Sequence, residues 1–113
     1  MQTEVKIVET AVGDYCFQRA VELIGRRWTG AILVALLEGV DRYSQIRSAV
    51  PGLSDRMLCV RLRELENEDI VRRRVLQEVP VLVHYELTPK GRGLGTVIDA
   101  VQNWARDWGE PSA

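Results

Sequence analysis

The chain is 113 residues long, has a formal net charge of −1, and is 46% hydrophobic and 27% charged. That is room for one domain with one modest core, which excludes both a disordered, charge-rich chain and separate functions on separate domains. Its longest apolar runs, such as Ala31 to Leu37, fall far short of the ~20 residues a membrane-spanning helix needs. The N-terminus has no basic-then-apolar secretion signal, so a soluble, cytoplasmic protein with no membrane partner is expected.

The first segment, residues 1–14, has no clear helical period and reads as an N-terminal arm with Val5, Ile7 and Val8 as apolar anchors; residues 15–113 form the domain. From Tyr15 the pattern turns helical, with Phe17, Ala20, Val21 and Ile24 at three- or four-residue spacing and Gly25 placed to end the helix in a left-handed cap. Thr29 to Leu37 is apolar nearly all round, which predicts a buried central helix closed by Glu38-Gly39, with Trp28 as a core anchor. A short helix fits Tyr43 to Ala49, with Ser44 as N-cap and Ile46 and Val50 inward, and Pro51-Gly52 breaks it.

Ser54 reads as the N-cap of a further helix, about 54–67, with Asp55 in its first turn and Leu58, Leu62 and Leu65 on one face. Ile70 to Leu76 and Val81 to Leu87 are β-rich runs joined by Gln77-Glu78-Val79-Pro80, a spacing that predicts an antiparallel hairpin. Thr88-Pro89 then starts a last helix, whose seam of Leu94, Ile98, Val101, Ala105 and Trp108 recurs at spacings of 4, 3, 4 and 3. Gly91, Gly93 and Gly95 weaken its first turns.

This order of helices with a two-stranded wing is α+β, mainly helical, and is that of a winged helix-turn-helix. In that fold the second helix of the turn motif enters the major groove of double-stranded DNA. A particular set of segments sharpens the reading. Cys16, Leu23-Ile24-Gly25-Arg26-Arg27-Trp28-Thr29, Arg42-Tyr43-Ser44-Gln45-Ile46-Arg47, Pro51-Gly52-Leu53-Ser54 and Met57-Leu58 are followed by Arg61-Leu62-Arg63-Glu64-Leu65-Glu66, Glu78-Val79-Pro80 and Tyr85-Glu86-Leu87-Thr88-Pro89-Lys90-Gly91. Together, over roughly Cys16 to Trp108, they resemble the HxlR family of regulators. The resemblance implies a dimeric winged-helix repressor or activator related to the MarR group. The chain departs from the family pattern at Val81-Leu82, where a basic residue is common, and at Cys59, where a polar residue is more usual.

The expected DNA-binding residues are Ser44, Ser54, Asp55, Arg56, Cys59, Val60 and Arg63, with Arg72 and Arg74 on the first strand. Arg56 and Arg63 come first, because a guanidinium fork bonds two phosphate oxygens or the N7 and O6 edge of guanine. The competing reading is a solvated charged face, since Glu64, Glu66, Glu68 and Asp69 lie in the same stretch and could pair with the strand arginines. The seam Leu94, Ile98, Val101, Ala105 and Trp108 is expected at a two-fold dimer interface, which matches a palindromic operator. Tyr15, Trp28 and Trp104 are candidates for lining a pocket for a small-molecule effector. Cys16 is a candidate redox sensor on the family resemblance, with Arg19 nearby and Asp14 and Glu22 opposing it in charge. With two widely separated cysteines and one histidine, His84, neither a metal nor a cofactor is expected. No catalytic residue is assigned. A winged-helix module that binds a partner protein instead of DNA is the alternative, favoured by the near-neutral charge and apolar wing.

Overall fold

Apolar period and capping chemistry set the element boundaries, and a computed structural model describes them for residues 15–109. The expected N-terminal arm lies outside the described residues. The order is α1 (Tyr15–Ile24), α2 (Thr29–Leu37), α3 (Tyr43–Ala49), α4 (Asp55–Asn67), β1 (Val71–Leu76), β2 (Leu82–Leu87), α5 (Pro89–Arg92) and α6 (Gly95–Trp108). The chain is thus the expected α+β winged helix, with α3 and α4 as the helix-turn-helix and β1-β2 as the wing.

The core forms where three apolar faces meet. Ile32 and Leu33 of α2, Ile46 of α3, and Leu58, Leu62 and Leu65 of α4 are all at most 1% exposed. Each such side chain contributes about 1.5–3 kcal/mol on burial. Val71, Tyr85 and Leu87 close the core at the root of the wing, and Ile98 joins it from α6.

Local chemistry explains most of the boundaries. Gly39, at φ 93°, ends α2 by sending its N–H to Leu36 O (3.1 Å), while Val40 N–H reaches Ala35 O (3.0 Å). That pair of bonds is a Schellman closure, and its left-handed residue favours glycine. Ser54 caps α4, its Oγ accepting from Met57 N–H at 3.1 Å. Thr88 caps α5 by accepting from Gly91 N–H at 3.0 Å, while its hydroxyl donates to Asp69 O at 2.6 Å.

Four expectations need correction. Gly25 is not left-handed: its N–H continues the α1 ladder to Val21 O (2.8 Å), and the chain reverses instead at Trp28, φ 78°. An aromatic residue holds that conformation because its ring is trapped, with Arg27 at 4.8 Å on one side and the turn at Gly52 beside it. Ser44 is not an N-cap, because Tyr43 is already helical and the extended boundary residue is Arg42. Tyr43 is drawn in by its ring contact with Tyr85 and by its hydroxyl, which donates to Asp55 O at 2.8 Å. Both strands start one residue later than expected: Ile70 N–H is taken up by Leu65 O at the end of α4, and pairing toward the tip stops at Leu76 with Leu82. The last helix is not continuous: at Leu94 the hydrogen bond tightens to Gly91 O (3.0 Å), which separates α5 from α6 and turns Leu94 toward the core.

Two glycines in helices should respond in opposite ways to alanine. At Gly91 an added Cβ would stand 2.1 Å from Ile70 O, whereas at Gly30 nothing lies within 4 Å. Urea unfolding should show Gly91→Ala losing more than about 2 kcal/mol or failing to fold, and Gly30→Ala gaining about 0.4–1 kcal/mol. Equal effects of the two substitutions would contradict this packing.

Candidate nucleic-acid interface

Because Leu58, Leu62 and Leu65 face the core, the opposite side of α4 must face outward. At 3.6 residues per turn, Arg56, Val60, Arg63 and Asn67 fall on one stripe of that side, with Cys59 half-buried on its flank. Arg56 and Arg63 are exposed, and neither makes an ion pair or hydrogen bond among the described residues.

Three other arginines beside α4 are committed. Arg61 is only 16% exposed and sends Nε to Arg27 O (2.8 Å) and a terminal nitrogen to Glu64 (2.9 Å). Arg26 reaches the same carboxylate at 3.2 Å, and Arg19 pairs with Glu68. Glu64 and Glu68 are therefore answered from within the chain by arginines other than Arg56 and Arg63, whose guanidinium groups on the outer stripe are paired with no acid among the described residues.

Ser54 and Asp55, also expected at DNA, have internal roles. The Ser54 hydroxyl is the helix cap, and the Asp55 carboxylate lies 3.6 Å from Arg47 of α3. Burial, and then the adjoining Asp55, push the Tyr43 phenol up to about 12, so it remains a donor across the physiological range. The outcome is a stiff joint between α3 and the start of α4. Ser44 is exposed on α3, where its carbonyl accepts from Ser48 Oγ (3.0 Å).

On the wing, Arg72 and Arg74 share a face, as strand alternation requires. Both point toward Glu86 of β2, at 3.6 Å and 3.5 Å. The expected partners, Glu64 to Asp69, are not used; Glu86 is, and it stands directly across from Arg72 in the register. One carboxylate is shared between two guanidinium groups, so these three side chains together carry one net positive charge. Val79 and Val81 at the wing tip are exposed.

Tyr15, Trp28 and Trp104 do not converge. Tyr15 and Cys16 line a cavity of about 390 Å³ with Arg19, Leu23, Ile24 and Leu94. Trp28 packs against the Gly52 turn and Trp104 is exposed on α6. The C-terminal seam divides as well: Leu94 and Ile98 pack into the chain's own core, and Val101, Ala105 and Trp108 remain exposed. Among the described residues no cluster of His, Cys, Asp or Glu is arranged to hold a metal ion. No described helix is long and apolar enough to cross a membrane.

Sequence reasoning missed a polar joint midway along the wing. His84 Nδ1 lies 3.0 Å from Asp41 Oδ2, and an isolated bridge pairs Arg42 with His84, adding a short third edge to the hairpin. The single histidine was the only signal for it.

Comparison with known proteins agrees with this architecture. Residues 23–113 match the model of the HxlR-like helix-turn-helix family. The HTH-type transcriptional regulator YodB of Bacillus subtilis is 44% identical over 94 residues, which cover 83% of this chain and 84% of YodB. The uncharacterised HTH-type transcriptional regulator YvaP of the same organism is 43% identical over 96 residues, 85% of this chain and 89% of YvaP. Among solved structures, the reduced form of YodB superposes with a TM-score of 0.76 at 41% identity, covering 88% of this chain and 97% of that one. The redox regulator HypR in its oxidised form gives 0.77 at 31% identity, covering 86% and 98%. With matching sequence, fold and helix order, the chain belongs to the HxlR-like helix-turn-helix family and is a transcriptional regulator of the HTH type.

Proposed function

We propose that this regulator is a sequence-specific DNA-binding protein without enzymatic activity that acts in the cytoplasm as a homodimer. Each copy would lay α4 in the major groove of one half of a palindromic operator. The observation that carries the reading is the outward stripe of α4, where Arg56 and Arg63 are exposed and bound by no acid among the described residues. Unpaired guanidinium forks on a helix of this motif suit guanine edges and phosphate oxygens. Arg72 and Arg74 would add phosphate contacts, which position the protein without selecting a sequence.

The homodimer reading is supported by the exposed apolar side chains Val101, Trp104 and Trp108 along α6. Such a row on one helix is uncommon on a monomer's surface. In a two-fold pair the two copies of α4 would be held about one turn of duplex (~34 Å) apart.

A thiol or small-molecule signal is supported by the relatives. YodB has been solved diamide-treated and quinone-bound, and HypR is described as a redox regulator. Cys16 is exposed in the first turn of α1 and lines the cavity with Tyr15 and Leu94, which is where an oxidant or an apolar effector would act. The exposed Val79 and Val81 at the wing tip favour the second reading, a module that binds a partner protein.

Gel shifts against the DNA flanking the protein's own gene, with non-specific competitor present, separate these readings. Arg56→Ala with Arg63→Ala should leave the thermal midpoint nearly unchanged and weaken operator binding by at least about tenfold, as expected for losing one to two base or phosphate forks. Unaltered affinity at physiological salt would remove these residues from the site, and the absence of any shift by the parent protein would favour the interaction module. In the same assay diamide should release DNA from the parent protein and not from Cys16→Ser; equal release from both would exclude Cys16 as the sensor.

A further inference from the structure

The segment Asp41 to Tyr43 touches both halves of the interface. On the wing side, Asp41 O accepts Tyr85 N–H at 2.7 Å, Arg42 bridges His84, and the Asp41 carboxylate lies 3.0 Å from His84 Nδ1. On the helix side, the Tyr43 hydroxyl donates to Asp55 O at the first residue of α4. The Tyr43 ring also stands 6.2 Å from that of Tyr85.

We propose that Asp41 and His84 are positioning residues for DNA binding, a side-chain clasp that fixes the wing arginines relative to α4. The proposal rests on the reading of Arg72 and Arg74 as phosphate contacts. His84 stands directly across from Arg74 in the hairpin register. The hairpin root is fixed by buried Val71 and Leu87, whereas the strand ends beyond His84 and Arg74 are only partly buried at Leu76 and Leu82 and exposed at the tip. The clasp is therefore the last polar hold on β2 before the free end of the wing.

The chemistry of the pair makes it a single hold. A carboxylate only accepts, so Nδ1 carries the hydrogen and donates it to Asp41. Nε2 is enclosed and has no hydrogen-bond partner among the described residues. Among the described residues the imidazole thus has no other side-chain hydrogen bond to keep it in place once the Asp41 carboxylate is removed. The side chains are 22% and 47% exposed, and a partly exposed pair adds little to global stability. The Asp41 carbonyl keeps its bond to Tyr85 whatever side chain is present, so the fold survives while the wing loses its fixed angle.

The test measures binding to a random-sequence duplex and to the duplex flanking the protein's own gene, by fluorescence anisotropy across salt concentrations. Asp41→Ala and Asp41→Asn are each made in the parent and in an Arg72→Ala/Arg74→Ala background. The arginine pair alone should lower the slope of log affinity against log salt by about 0.9 for each phosphate that the protein no longer neutralises. Asp41→Ala should reproduce most of that fall, with a severalfold loss of affinity and little change in thermal midpoint, and should add nothing once the arginines are gone. Asp41→Asn, whose amide oxygen accepts the same N–H, should bind at or slightly above the parental level, which separates the hydrogen bond from the charge. His84→Ala breaks the clasp from its other side and should behave as Asp41→Ala does, even if the aspartate variant folds poorly. An unchanged slope in both alanine variants, or a loss that adds in full to that of the arginine pair, would overturn the clasp while leaving the wing contacts intact. No change on removing Arg72 and Arg74 would overturn the wing reading itself and the clasp with it.

Discussion

The burial of Leu58, Leu62 and Leu65 is the constraint on which the rest of the structure depends. These three side chains seat α4 against Ile32 and Leu33 of the central helix and Ile46 of α3. Rotating the helix by even a third of a turn would expose leucines and bury arginines, at several kcal/mol for each misplaced group. The fold therefore decides which residues of α4 face outward, and the rest of the site follows from that orientation. Ser54 and Asp55 secure the start of the helix, the Schellman closure at Gly39 delivers the chain into α3, and the Tyr43 hydroxyl links the two helices.

Charge is sorted by the same geometry. The chain as a whole has a formal net charge of −1, which gives no hint of a polyanionic partner. Placement reverses that impression. Glu64 is occupied by Arg26 and Arg61, Glu68 by Arg19, and Asp55 by Arg47, so these acids near α4 are answered internally. Arg56 and Arg63 are left over, and on the wing two arginines share one glutamate. What matters for a phosphate backbone is the local surplus on one face, not the sum over the sequence.

Much of this was legible in the residues. The helices, the hairpin, the Ser54 and Thr88 caps and the inward leucines are local features, written in three- and four-residue spacings and in the identity of single capping residues. What escaped was set by contacts distant in sequence. Gly25 is the better left-handed residue by intrinsic preference, yet Trp28 takes that conformation because its ring is held by Arg27 and the Gly52 turn. Ser44 is a good cap by type, and loses the role because Tyr43 is drawn into the helix by Tyr85 and Asp55, residues 42 and 12 positions away. Glu86 could have been found by aligning the two strands in register, but the Asp41–His84 contact spans 43 positions and depends on how the hairpin folds back over α3. The dispersal of Tyr15, Trp28 and Trp104 has the same origin: aromatic type marks a residue as apolar, and only the packing says which neighbours it meets.

The proposed mode of DNA binding has α4 present its arginine stripe to the major groove, once in each copy of a symmetric pair. Dimethyl sulfate methylates guanine at N7, which lies in the major groove, and so reports on that contact directly. Footprinting the protein on the duplex flanking its own gene should give two clusters of protected guanines on the same side of the DNA, about one helical turn apart. Protection confined to minor-groove positions, or guanines as reactive with the protein bound as without it, would contradict the orientation of α4 on which the whole interface depends.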